Sequence, residues 1–106
     1  MAVIREVKEG IQIQGVDEKI AYKITTTPWA SSPTSIVPKV YDVTVDGTRT
    51  DVTTTVMPSG SASATGDVIT LPLLQALTYG KTYRVEVQFT VSGNVFEPYF
   101  LVKAEY

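Results

Sequence analysis

Residues 82–106 read TYRVEVQFTVSGNVFEPYFLVKAEY, and from Thr82 to Val91 the side chains alternate without a break. Tyr83, Val85, Val87, Phe89 and Val91 fall on one side, and Thr82, Arg84, Glu86, Gln88 and Thr90 on the other. A period of two marks a strand with one buried face. Ser92-Gly93-Asn94-Val95 interrupts it, and Gly-Asn at the centre of a two-residue loop suits the positive φ angles of tight hairpins. With that loop, Val91 faces Phe96, Phe89 faces Pro98, Val87 faces Phe100, Val85 faces Val102 and Tyr83 faces Ala104. Each inner pair is apolar or aromatic, whereas a one-residue slip sets Phe against Glu86, Gln88 or Thr90. The same pairing turns Tyr99 and Leu101 away from the core, beside Gln88 and Glu86.

Shorter alternations precede this hairpin: Ile11 and Ile13 against Gln12 and Gln14; Ile20, Tyr22 and Ile24 against Lys19, Ala21 and Lys23; Tyr41, Val43 and Val45 against Asp42, Thr44 and Asp46. Asp46-Gly47 marks a turn, 51–56 is a Thr-rich strand, and 67–71 is a short strand ending at Pro72. Residues 28–38 and 58–66 are rich in Pro, Ser, Thr and Gly and read as loops. Only 73–77 suits a turn of helix. About seven short strands at regular spacing predict an all-β fold, a single antiparallel β-sandwich over residues 1–106.

The chain has 106 residues, within the usual size of one domain, and can close a core without a disulfide. Its 9 basic and 11 acidic residues are dispersed and give a net charge of −2, which argues against nucleic acid as a partner. The charged start Ile4-Arg5-Glu6-Val7-Lys8-Glu9 predicts no signal peptide, and no window predicts a membrane span.

His and Cys are absent, which excludes Ser-His-Asp, Cys-His and imidazole or thiolate metal chemistry. A carboxylate pair drawn from Asp42, Asp46, Asp51 or Glu97 would sit at turn or outward positions, where solvated charge is the ordinary reading. Asp46, Asp51 and Asp67 lie near loops but lack the spacing of a calcium loop. Residues 60–66 lack the Lys and the following helix of a phosphate loop. No catalytic, cofactor-binding or metal residue is therefore assigned, and no cofactor is expected.

Leu77-Thr78-Tyr79-Gly80-Lys81-Thr82-Tyr83-Arg84-Val85-Glu86-Val87 resembles the E-to-F connection of fibronectin type III and related immunoglobulin-like domains. The resemblance implies a tyrosine corner built on Leu77, Gly80 and Tyr83, with the Tyr83 hydroxyl bonded back to loop backbone. Tyr79 replaces a family Pro. More broadly, residues 4–10, Thr27-Pro28-Trp29, Ser32-Pro33-Thr34-Ser35, 66–72 and 83–87 look like the small virion structural proteins of tailed bacteriophages and prophages. That likeness implies a non-enzymatic component near the head or its connector, located in the virion, or in the bacterial cytoplasm if the chain is not phage-derived.

Trp29, in a Pro-flanked loop, suits either a cap over the end of the sandwich or a binding platform. Tyr99 and Leu101, two large residues facing outward on a terminal strand, suit a subunit contact, and Pro98 limits strand addition there. The expected partner is a protein, either a second copy or another virion component. The alternative is a carbohydrate-binding or adhesion module using Trp29 with Tyr22 or Tyr41. Val3 and Val7 suit pairing within the domain or with a neighbour.

Overall fold

The computed structural model describes residues 11–26, 32–45, 48–58 and 61–105; Trp29, Val3, Val7 and Asp46 lie outside them. The order is β1 (Gln12–Gly15), β2 (Lys23–Thr25), β3 (Thr34–Asp42), β4 (Thr50–Asp51), α1 (Thr53–Val56), β5 (Ser63–Thr65), β6 (Val68–Thr70), β7 (Thr82–Val91), β8 (Asn94–Phe96) and β9 (Tyr99–Glu105). The fold is all-β. The larger sheet runs β1-β9-β7-β3-β4 with β8 alongside β7, and the smaller runs β2-β6-β5. Both feed one core, in which Ile24 and Ile69 of the smaller sheet join Val40, Val85, Phe89 and Val102 of the larger.

The 82–105 hairpin forms in a register displaced by two residues. Val91 faces Asn94, Phe89 faces Phe96, Val85 faces Phe100 and Tyr83 faces Val102. Ser92 and Gly93 make the turn, at φ 49° and 82°. Two consecutive positive φ angles are what a two-residue turn matched to strand twist demands, and Ser92 accepts the first. A shift of two leaves every side chain on its expected face. Phe89 stacks on Phe96 with ring centroids 5.5 Å apart. Pro98, outside both strands, still continues the ladder, its carbonyl accepting from Val87 N–H at 2.9 Å.

The sheets are not purely antiparallel, because β1 runs parallel to β9, Gln12 beside Val102 and Gly15 beside Glu105. The last strand is thus an interior strand over 102–105 and not the unprotected edge that the sequence suggests. Gln14 is fully buried while Ile11 and Ile13 are 57% and 64% exposed, the reverse of the expected facing. The polar side wins because every group it buries is bonded. Gln14 Nε2 donates to Leu74 O at 2.7 Å and Glu18 O at 3.0 Å, and its Oε1 accepts from the Tyr22 hydroxyl at 2.9 Å.

Further expectations are corrected. The Thr-rich 51–56 stretch is not one strand: Asp51 Oδ1 accepts from the N–H and hydroxyl of Thr53 at 3.0 and 2.7 Å, turning the chain into α1 and dropping Val56 into the core. The 73–77 stretch forms no helical turn: Ile20 and Leu74 exchange backbone bonds of 3.1 and 2.9 Å in an antiparallel bridge, and Ala76 takes φ 56°. Loop character over 28–38 gives way to strand from Thr34, while Val43 and Val45 lie beyond the end of β3.

Pro38 is accommodated within that strand by its orientation. Val40 N–H donates to Thr53 Oγ1 and Val40 O accepts from Val52, both at 2.9 Å, so this side of β3 faces away from β7. Pro38, two residues earlier, turns its nitrogen the same way, where β4 does not reach. The short 58–66 segment likewise contains β5, paired to β6.

Candidate interaction surface

Alternation and register place Tyr99, Leu101 and Lys103 of β9, Thr82, Arg84, Glu86 and Gln88 of β7, and Val37, Lys39 and Tyr41 of β3 on the outer face of the larger sheet. Ile13 stands beside Lys103 on this face, and Ile11 shares its side of β1. Tyr99 and Leu101 are half-buried, so they contribute less open surface than the sequence suggests; Ile11 and Ile13 contribute more. A four-residue alternation such as Ile-Gln-Ile-Gln does not say which side is inward. Nothing in the sequence announces that Gln14, and not Ile13, has partners waiting.

Glu86 is the second surprise: although on the outer face, it is only 5% exposed. Arg84 Nε lies 2.8 Å from Glu86 Oε2 and Arg49 Nη1 lies 3.3 Å from the same oxygen. The Arg84 contact is an ion pair and not a directional hydrogen bond, since its buried Nε–H has no acceptor in line. The Arg84 guanidinium sits 3.8 Å from the centre of the Tyr99 ring, and that of Arg49 sits 4.3 Å from the Tyr41 ring. Two cations thus stack on two tyrosines and share one carboxylate, which covers Glu86 and fixes both rings. A shallow cavity of about 80 Å³ lies alongside, lined by Val37, Lys39, Tyr41, Glu86, Gln88 and Glu97.

Leu77 and Tyr83 are buried, Gly80 takes φ +83°, and the Tyr83 hydroxyl accepts from Thr78 N–H at 2.9 Å. These residues anchor the entry to β7 and contribute nothing to the outer face. Tyr22 does not form a platform either: its ring packs on Phe100 at 5.2 Å and its hydroxyl is held by Gln14.

The described carboxylates considered for chemistry, Asp42, Asp51, Asp67 and Glu97, are each engaged locally. Asp42 accepts from Lys81 Nζ at 2.8 Å and from the Thr44 hydroxyl and N–H at 2.6 and 3.0 Å. Those bonds, Lys81 first, lower its pKa to about 2. Asp51 is lowered by its two bonds from Thr53, and Asp67 Oδ1 accepts from Ser32 N–H. Glu97 Oε2 accepts from Gln88 Nε2 at 3.3 Å. Among the described residues no three acids converge on one point, and no helix is long and apolar enough to cross a membrane.

Comparison with protein families, with curated proteins and with solved structures finds no match to this chain.

Proposed function

We propose that this chain is a non-enzymatic immunoglobulin-like sandwich that works by protein–protein contact through the outer face of its larger sheet. The observation that carries the reading is the apolar margin of that face, where exposed Ile11 and Ile13 adjoin the β9 side that carries Leu101 and Tyr99. Apolar residues grouped on one side of a sheet are what a partner covers, whereas scattered ones need no partner. The arginine-stacked tyrosines beside them supply the rigid aromatic and cationic contacts that interface centres favour.

The sandwich assignment is supported by the shared core and by strand order. Sheets ordered β2-β6-β5 and β9-β7-β3 follow the B-E-D and G-F-C arrangement of immunoglobulin-like domains, with β1 added beside the last strand. The resemblance in sequence makes the partner a second copy or another virion structural protein. Glycan binding is less well supported, because Tyr22 is engaged internally and Tyr41 carries Arg49.

Light scattering across a concentration series tests the contact. The native chain is expected to associate, alone or with a co-purified partner, and Leu101→Lys to release it while leaving the β-sheet spectrum unchanged. Identical masses and identical partner recovery for native and variant protein would sink the reading.

A further inference from the structure

The open side of β1 carries an inference that rests on the proposal of an assembling protein and specifies its partner. Val16 N–H donates to Glu105 O at 2.7 Å, and with the parallel register this turns the backbone groups of the even-numbered residues Gln12, Gln14 and Val16 toward β9. The odd-numbered residues Ile11, Ile13 and Gly15 therefore present their N–H and C=O groups to the opposite edge. Gly15 N–H is already taken, donating to Glu18 Oε1 at 2.7 Å. The backbone of Ile11 and Ile13 is engaged by no described residue on that side, and both side chains are exposed.

We infer that β1 pairs antiparallel with β1 of a second copy about a two-fold axis through Gln12, joining two larger sheets into one. The register follows from the residues. Ile11 opposite Ile13 of the second copy, and the reverse, gives two hydrogen-bonded pairs with apolar side chains meeting on the outer face. Moving the axis toward Ile13 sets Ile11 against Gly15, whose N–H is occupied. Moving it toward Ile11 leaves Ile13 opposite no described residue of the second copy. Among the described residues, this register alone pairs both isoleucines with apolar partners without meeting the occupied Gly15 N–H, and it is self-complementary as a closed dimer requires. Glu18 limits the addition to these two residues, so the pairing is short and readily reversible.

The axis makes a prediction that only this geometry satisfies. Gln12 faces its own counterpart in a non-hydrogen-bonded pair, where Cα atoms stand about 4.5 Å apart, within disulfide range. The native chain has no Cys, so one introduced thiol reports on its symmetry mate alone. Gln12→Cys, oxidised under mild conditions, is expected to form disulfide dimers at least tenfold faster than Val95→Cys, an exposed control on β8. The mass of the native chain is expected to rise from one copy toward two with concentration, and Ile13→Lys to hold it at one without altering its sheet spectrum.

If a different protein or the residues preceding Ile11 occupy this edge, the native chain stays at one copy and Gln12→Cys couples no faster than the control, which overturns the inference. Association abolished by Leu101→Lys without Gln12 coupling overturns the edge pairing and leaves the face as the contact. Coupling at Gln12 with association indifferent to Leu101→Lys upholds the edge and removes the face.

Discussion

The Tyr22 hydroxyl donates to the side-chain oxygen of Gln14 at 2.9 Å, tying the approach to β2 in the smaller sheet to β1 in the larger. Because Gln14 Nε2 also donates to Leu74 O and Glu18 O, one fully buried amide holds three separate segments. Gln14→Ala removes the partner of the Tyr22 hydroxyl and one of the two donors to the buried Leu74 carbonyl, which keeps only its bond from Ile20 N–H. It is expected to lower stability by about 2–4 kcal/mol, and Tyr22→Phe by about 1–2 kcal/mol. Urea unfolding measures both, and a Gln14→Ala midpoint unchanged from native removes the network's role.

The Ser92-Gly93 turn yields a prediction of opposite sign. Ser92 holds φ 49°, a region that Asn adopts with less strain than Ser. Ser92→Asn is expected to stabilise the domain by about 0.5 kcal/mol, and Gly93→Ala, at φ 82°, to destabilise it by about 1 kcal/mol. Thermal unfolding of the two variants should move in opposite directions.

Asp42 supplies a pH dependence. Lys81 and Thr44 hold its folded pKa near 2, below its ordinary 3.8. A depressed folded pKa means that the unfolded chain takes up the proton first on acidification. The contribution is thus complete above about pH 4, and it is lost as pH falls toward 2. Asp42→Asn is expected to be less stable than the native chain at pH 6 and to approach it at pH 2. Parallel denaturation curves at both pH values decide it.

Glu86 neutralises two arginines from beneath the outer face. Glu86→Ala leaves Arg84, largely buried against Tyr99, without its carboxylate, and is expected to lower stability by about 2–3 kcal/mol. Arg49, more exposed, swings into solvent at little cost, so Arg49→Ala should change stability by less than about 1 kcal/mol. Calorimetry showing equal losses for the two would contradict this ranking.

The long alternation of 82–91 was legible because ten residues of one period leave a single way to bury the apolar side. The four residues of β1 carry no such information: their facing is decided by Leu74 and Tyr22, which are distant in sequence. The register of the final hairpin was readable only to within two residues, since Gly-Asn and Ser-Gly both make acceptable turns and the two alternatives bury the same side chains. On the outer face, Tyr99 and Leu101 were foreseeable from alternation. Glu86 was not, because its burial depends on Arg49, brought across β3 by the short β4. The turn at Thr53 escaped a reading based on β propensity, because a single carboxylate outweighs a run of threonines there.

The parallel pairing of β1 with β9 also bears on how the chain is made. Gln12 lies beside Val102, so the first described strand to be made meets its described partner only when the last one follows. Until residues 99–105 are made, Ile13 belongs to a strand without its β9 neighbour, and β7 lacks one of its flanks. Closure of the larger sheet is consequently a late event that depends on a contact between distant parts of the chain, the kind of contact that slows folding. A nascent chain halted before residue 99 would present one side of β1 and one side of β7 as open edges, and β9 closes both when it pairs between them.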